Sequence, residues 1–128
     1  MKITDDKLDI LKDLETRIAQ VWREHPEMTD YAVLRAYEAA VQLYRAEQRG
    51  QTPKPPVLSG LDAAAFEALK AACEFRLGRG VEPEQERVAL IPLETLLDCL
   101  RELAKSVGRH TKEGGRQGYL TFIDRFLP

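Results

Sequence analysis

Apolar side chains recur every three or four positions along most of this chain, and prolines and glycines fall almost entirely between the recurring runs. That spacing fits amphipathic α-helices; a half-buried strand alternates with a period of two. All seven prolines lie outside the runs, and Gly108 is the one glycine well inside a run. The chain is therefore expected to be all-α, with its breaks marked by its own punctuation.

The first run holds Leu8, Leu11, Leu14, Ile18, Val21 and Trp22 and predicts a helix over residues 5 to 24. Thr4 suits its N-cap, Asp5 and Asp6 its positive end, and Pro26 forbids continuation because it forces His25 out of helical geometry. Thr29 then suits the cap of a second helix, over 30 to 49, closed by Gly50. Its apolar arc is wide, spanning Val33, Leu34, Tyr37, Ala40, Val41, Leu43 and Tyr44. Such a helix needs neighbours on several sides, so helix 2 is expected to be the central element, among helices 1, 3 and a later leucine-rich helix.

Residues 51 to 58 carry Pro53, Pro55 and Pro56 and predict an extended crossover within one domain. Pro53 and Pro56 match a P-x-x-P spacing, but a spacer explains them without a ligand. Ser59 with Asp62 has the spacing of a capping box before a third helix over 60 to 77, closed by Gly78. Six alanines keep one side of that helix small, and Arg76 stands in its otherwise apolar arc, either snorkelling or paired with a carboxylate of helix 1 or 2. Residues 83 to 86 fit a short helical turn and 88 to 91 fit an extended segment. Pro92 opens the leucine-rich run of Leu93, Leu96, Leu97, Leu100, Leu103 and Val107, reaching about Thr111. After Gly114 and Gly115, Tyr119, Phe122, Ile123 and Phe126 share one face of a last helix over 116 to 127. The expected architecture is one domain, 1 to 128, a compact bundle of five to six helices.

With 128 residues, 44% hydrophobic and 31% charged, such a core needs no staples. A net charge of −2 argues against a wholly basic nucleic-acid binder. Cys73 and Cys99 fall in apolar runs with no CxxC spacing, the pattern of buried free thiols in a reducing compartment. The polar N-terminus lacks the apolar stretch of a secretory signal, and no run approaches the length of a membrane helix, so a cytoplasmic protein without membrane contact is expected.

Several chemistries lack their residues. Neither His25 nor His110 has a glutamate three positions before it, as a di-iron bundle needs, and two histidines cannot supply a three-histidine site. His-Glu-x-x-His and Gly-x-Ser-x-Gly are absent. A thiol at Cys73 or Cys99 with His110 would have to ionise in apolar surroundings. No arginine is separated from a following histidine by four to six residues, the spacing of one class of helical ribonuclease: Arg17 and Arg101 are too far, Arg23 and Arg109 too near. No metal, cofactor or catalytic set is expected.

What remains is a basic stripe. Residues 101 to 120 hold five basic residues, Arg101, Lys105, Arg109, Lys112 and Arg116, against two acidic ones, and the first four share the helix side opposite the leucines. They run, with His110, into Gly114-Gly115-Arg116-Gln117-Gly118 before the last helix, where free backbone amides suit an anion. A solvated face and a plain turn explain the same residues. His25 falls beside Trp22 on the apolar face, as a core or capping histidine would, and Tyr31, Tyr37 and Tyr44 are expected mainly in the core.

The leading functional expectation is a non-catalytic helical module for protein–protein interaction or oligomerisation, motivated by the wide apolar arcs. The alternative is a polyanion or phospholigand bound by Arg101, Lys105, Arg109, His110, Lys112 and Arg116. A third is an enzyme whose site is assembled from scattered polar residues.

Overall fold

A computed structural model describes the backbone of residues 5–52, 54, 56–79 and 90–113, and the side chains of those between 9 and 109. It is all-helical over that span, with α1 (Asp5–Glu24), α2 (Asp30–Gln48), α3 (Gly60–Arg76) and α4 (Leu93–Glu113). These agree with the spacing to within two residues at either end. The expected count of five to six helices is not met, since four helices stand among the described residues. The short turn at 83 to 86 and the last helix at 116 to 127 lie outside the described residues.

The breaks follow their local chemistry. Thr29 Oγ1 accepts a hydrogen bond from the Ala32 amide at 3.2 Å, the expected cap of α2. Ser59 stands at the N-cap of α3 with extended backbone but makes no side-chain cap bond, so the capping box expected from Ser59 and Asp62 does not form. Asp62 is drawn instead to α2, where Arg35 Nη1 donates to it at 2.8 Å. Gly78 ends α3 at φ +77°, a left-handed conformation that side chains resist.

α2 makes the two largest helix–helix interfaces, with α4 and with α3, while α1 packs on those same two helices and barely touches α2. The ring order is therefore α1, α3, α2, α4. The expectation that helix 2 packs against helix 1 is corrected: α1 lies diagonally opposite. The wide arc of α2 is used by two flanking helices, with Ala32, Val33, Ala36, Tyr37, Ala40 and Tyr44 buried.

Side-chain links fix the directions. Arg35 meets Asp62 and Tyr44 meets Glu74, so α2 and α3 run parallel. α4 starts at the end of α3, where the Ile91 amide donates to Arg76 O, and it later passes Leu34 near the start of α2. It is thus antiparallel to both. α1 is too, with Asp13 at the far end of α3 and Trp22 Nε1 donating to Met28 O beside the start of α2. Parallel neighbours joined in sequence need a long return, and the proline-bearing crossover supplies it. The core is contributed by every helix, including Leu14, Ile18, Trp22, Tyr37, Leu69, Leu96, Leu100 and Leu103, all essentially sealed from solvent.

Candidate functional site

The outward face of α4 carries the basic stripe as far as it is described. Arg101 Nη1 stands 4.0 Å from Asp98 Oδ1, and Lys105 Nζ 3.9 Å from Glu102 Oε1. These are loose pairs one turn apart on an exposed surface, worth little each. They nevertheless interleave acid with base, and over its whole length α4 carries four acidic and four basic residues. Arg109 is exposed beyond them. His110 and Lys112 belong to the helix backbone, and their side chains, with all of Arg116 and the glycine turn, lie outside the described residues. The structure thus sets Arg101, Lys105 and Arg109 along one helix.

A second surface was not legible as a site. Between the second half of α2, the end of the crossover and the first half of α3 lies a groove of about 220 Å³, lined by Leu43, Pro56, Leu58, Ala63, Phe66, Glu67 and Lys70. Each lining residue has a local reason to be there. Leu43 sits at the edge of the α2 arc, only partly covered. Ala63 leaves space where a larger residue would close the groove. Pro56 and Leu58 approach from a strand of chain that has no helical partner of its own. Val57, between them, is fully exposed. Glu67 and Lys70 give the groove one charge of each sign.

The nucleophile candidates are sealed. Cys73 and Cys99 are buried and not joined in a disulfide. Burial pushes the Cys73 thiol well above its ordinary range, and the nearby Glu74, Asp13 and Cys99 push the same way, so a thiolate is opposed there. Around it the polar groups are tied to each other. Tyr44 donates its hydroxyl to Glu74 at 3.1 Å, and Arg79 bridges Glu47 and Glu74. Burial and Glu74 hold the Tyr44 phenol far above its usual value. Arg76 donates to Asp13 Oδ2 at 2.9 Å, the ion-pair alternative for that residue. His25 is not a core histidine: it stands half-exposed, 3.5 Å from Glu27. Tyr31 is 63% exposed, whereas Tyr37 and Tyr44 are in the core as expected.

Among the described residues no three His, Cys, Asp or Glu side chains stand together as metal ligands, and no helix is long and apolar enough to cross a membrane. Comparison with family models, curated proteins and solved structures finds no match for this chain. Sequence reasoning missed the groove because its walls come from three segments, each with an ordinary local explanation. Consecutive apolar residues Pro56, Val57 and Leu58 in a segment with no helical period were the available signal.

Proposed function

We propose that the chain is a helical protein-interaction module whose contact surface is the groove between α2, the crossover and α3. The fully exposed Val57, flanked by groove residues Pro56 and Leu58, carries this reading. One exposed valine is ordinary; one beside a groove lined by Leu43, Leu58 and Phe66 adds to the apolar surface that association would cover. The occupant is a segment of a partner protein presenting one aliphatic or aromatic side chain between Leu43, Leu58 and Phe66, with polar neighbours facing Glu67 and Lys70. The two buried thiols, not joined in a disulfide, suit a reducing compartment and support a cytoplasmic module.

A second reading, a polyanion on α4, rests on Arg109, which is exposed and has no ion pair among the described residues. The acid–base interleaving before it weakens the field that such a ligand would feel.

Backbone amide NMR separates the two. Short peptides with a central leucine or phenylalanine should shift the amides of Leu43, Ala63, Phe66 and Lys70, and Ala63→Glu, which fills the groove, should abolish the effect. Shifts confined to residues 101 to 109 on adding heparin at low salt, with none from the peptides, would overturn the groove reading in favour of the anion. Sedimentation of the wild type against Val57→Asp tests whether a second copy is the occupant.

A further inference from the structure

Among the described residues, Glu15 is the one charged side chain in the core, 5% exposed. No hydrogen bond or ion pair joins it to a described residue. Its place follows from the helix. Asp13 and Arg17, each two residues away and so about 160° around α1, meet α3 at Arg76 and Phe75. Glu15 therefore lies on the flank toward the other neighbour, α4. Gly108 lies against Leu34 of α2, and Ser106, about 160° around, lies on the flank toward α1. Ser106 Oγ is also buried without a hydrogen-bond partner. The α1–α4 seam is the smallest of the four helix interfaces. The smallest seam thus holds both of these unpartnered polar groups.

We propose that Glu15 makes the α1–α4 seam a proton-sensitive joint, closed while the carboxyl holds its proton and opened when the proton passes to solvent. A neutral carboxyl tolerates burial, whereas a carboxylate without a partner does not. The groups on the facing surfaces do not relieve it. On the α4 flank, Cys99 is a buried thiol, Glu102 is exposed with Lys105 beside it, and Arg109 is exposed. On α3, Arg76 is engaged by Asp13, and Cys73 resists ionisation. Lys12, one turn before Glu15, makes no ion pair with it. Burial alone raises the Glu15 carboxyl to about 7.

A group held above its unfolded value of 4.5 stabilises the fold fully below that pH, and the contribution is lost as pH rises through about 7. Urea titrations of the full chain should show a folding constant that falls by up to about tenfold per pH unit between pH 5 and 7 and then levels. Glu15→Gln should remove that slope while keeping His25 and every other titrating group in common. An equal slope in both proteins overturns the proposal. Carboxyl-carbon NMR of the wild type provides a readout independent of the variant: a Glu15 midpoint near 7 supports it, and one in the ordinary carboxylate range overturns it. Hydrogen exchange locates the event. Amides of α1 should lose protection at pH 8 relative to α2 and α3, after correction for intrinsic rates; uniform loss across the helices overturns the joint.

Discussion

Arg76 and Glu15 present the same puzzle, a charged residue on an apolar arc, and the structure resolves them in opposite ways. Arg76 is 15% exposed and finds Asp13 on α1, with its guanidinium Nε 2.9 Å from the carboxylate. Removing one partner leaves the other charge poorly solvated. Arg76→Ala is expected to destabilise by about 2–3 kcal/mol, and a double-mutant cycle with Asp13→Ala to show coupling of about 1 kcal/mol or more. Additive losses in urea denaturation would mean that the pair contributes nothing. Glu15 has no such partner, so its burial is relieved by taking up a proton. Arg76 was singled out by its position; Glu15 was not, although it follows Leu11 and precedes Ala19 and Trp22 at helical spacing. Residue type argued the other way, because glutamate is almost never buried unpaired. At this scale spacing was the better guide.

Two glycines show how the same residue serves different elements. Gly108 lies inside α4, where the nearest atom to an added Cβ is Leu34 Cδ1 at 4.0 Å, an ordinary contact. Gly108→Ala should therefore recover most of the helix-propensity difference and stabilise by about 0.5–1 kcal/mol. Gly78 sits at φ +77°, and its added Cβ would stand 2.8 Å from Leu90 Cδ2. Gly78→Ala should destabilise by about 1–2 kcal/mol through backbone strain, with Leu90 forced to move. Thermal unfolding of the two variants checks the opposed signs; a loss at Gly108 would mean that α2 and α4 are packed too closely there to admit a methyl group. Helix existence and boundaries were legible because apolar period and breakers agree along α1, α2, α3 and α4, with the Thr29 cap formed at the start of α2. The capping box is absent on both sides: Asp62 pairs its carboxylate with Arg35 across the seam, and the Ser59 hydroxyl makes no cap bond.

Ring order and direction belong to the whole molecule, and periodicity is silent on both. The width of the α2 arc correctly demanded several neighbours but not which ones, since α1 and α3 offer similar apolar stripes. Tertiary links such as Arg35 to Asp62 decide the matter, and nothing local marks residues 27 apart as partners. The candidate groove is a product of that same choice. Making α2 and α3 parallel forces the chain back along their seam, which brings Pro56 and Leu58 to Leu43 and Phe66. The crossover should then be intolerant of shortening and tolerant of lengthening. The amides of Gly50 and Gln51 still bond back to Glu47 and Ala46, so the return begins only there. From Gly50 to Gly60 the extended chain reaches about 33 Å, against a return of about 20–25 Å along the helices. Deleting residues 51 to 54 leaves about 20 Å, at or below the span, and should abolish cooperative unfolding as followed by circular dichroism. Inserting four Gly/Ser residues at the same point should cost less than about 1 kcal/mol, because loop entropy grows slowly with length. If the shortened protein unfolds as cooperatively as the wild type, α2 and α3 are not joined in parallel. The groove would then lose its third wall.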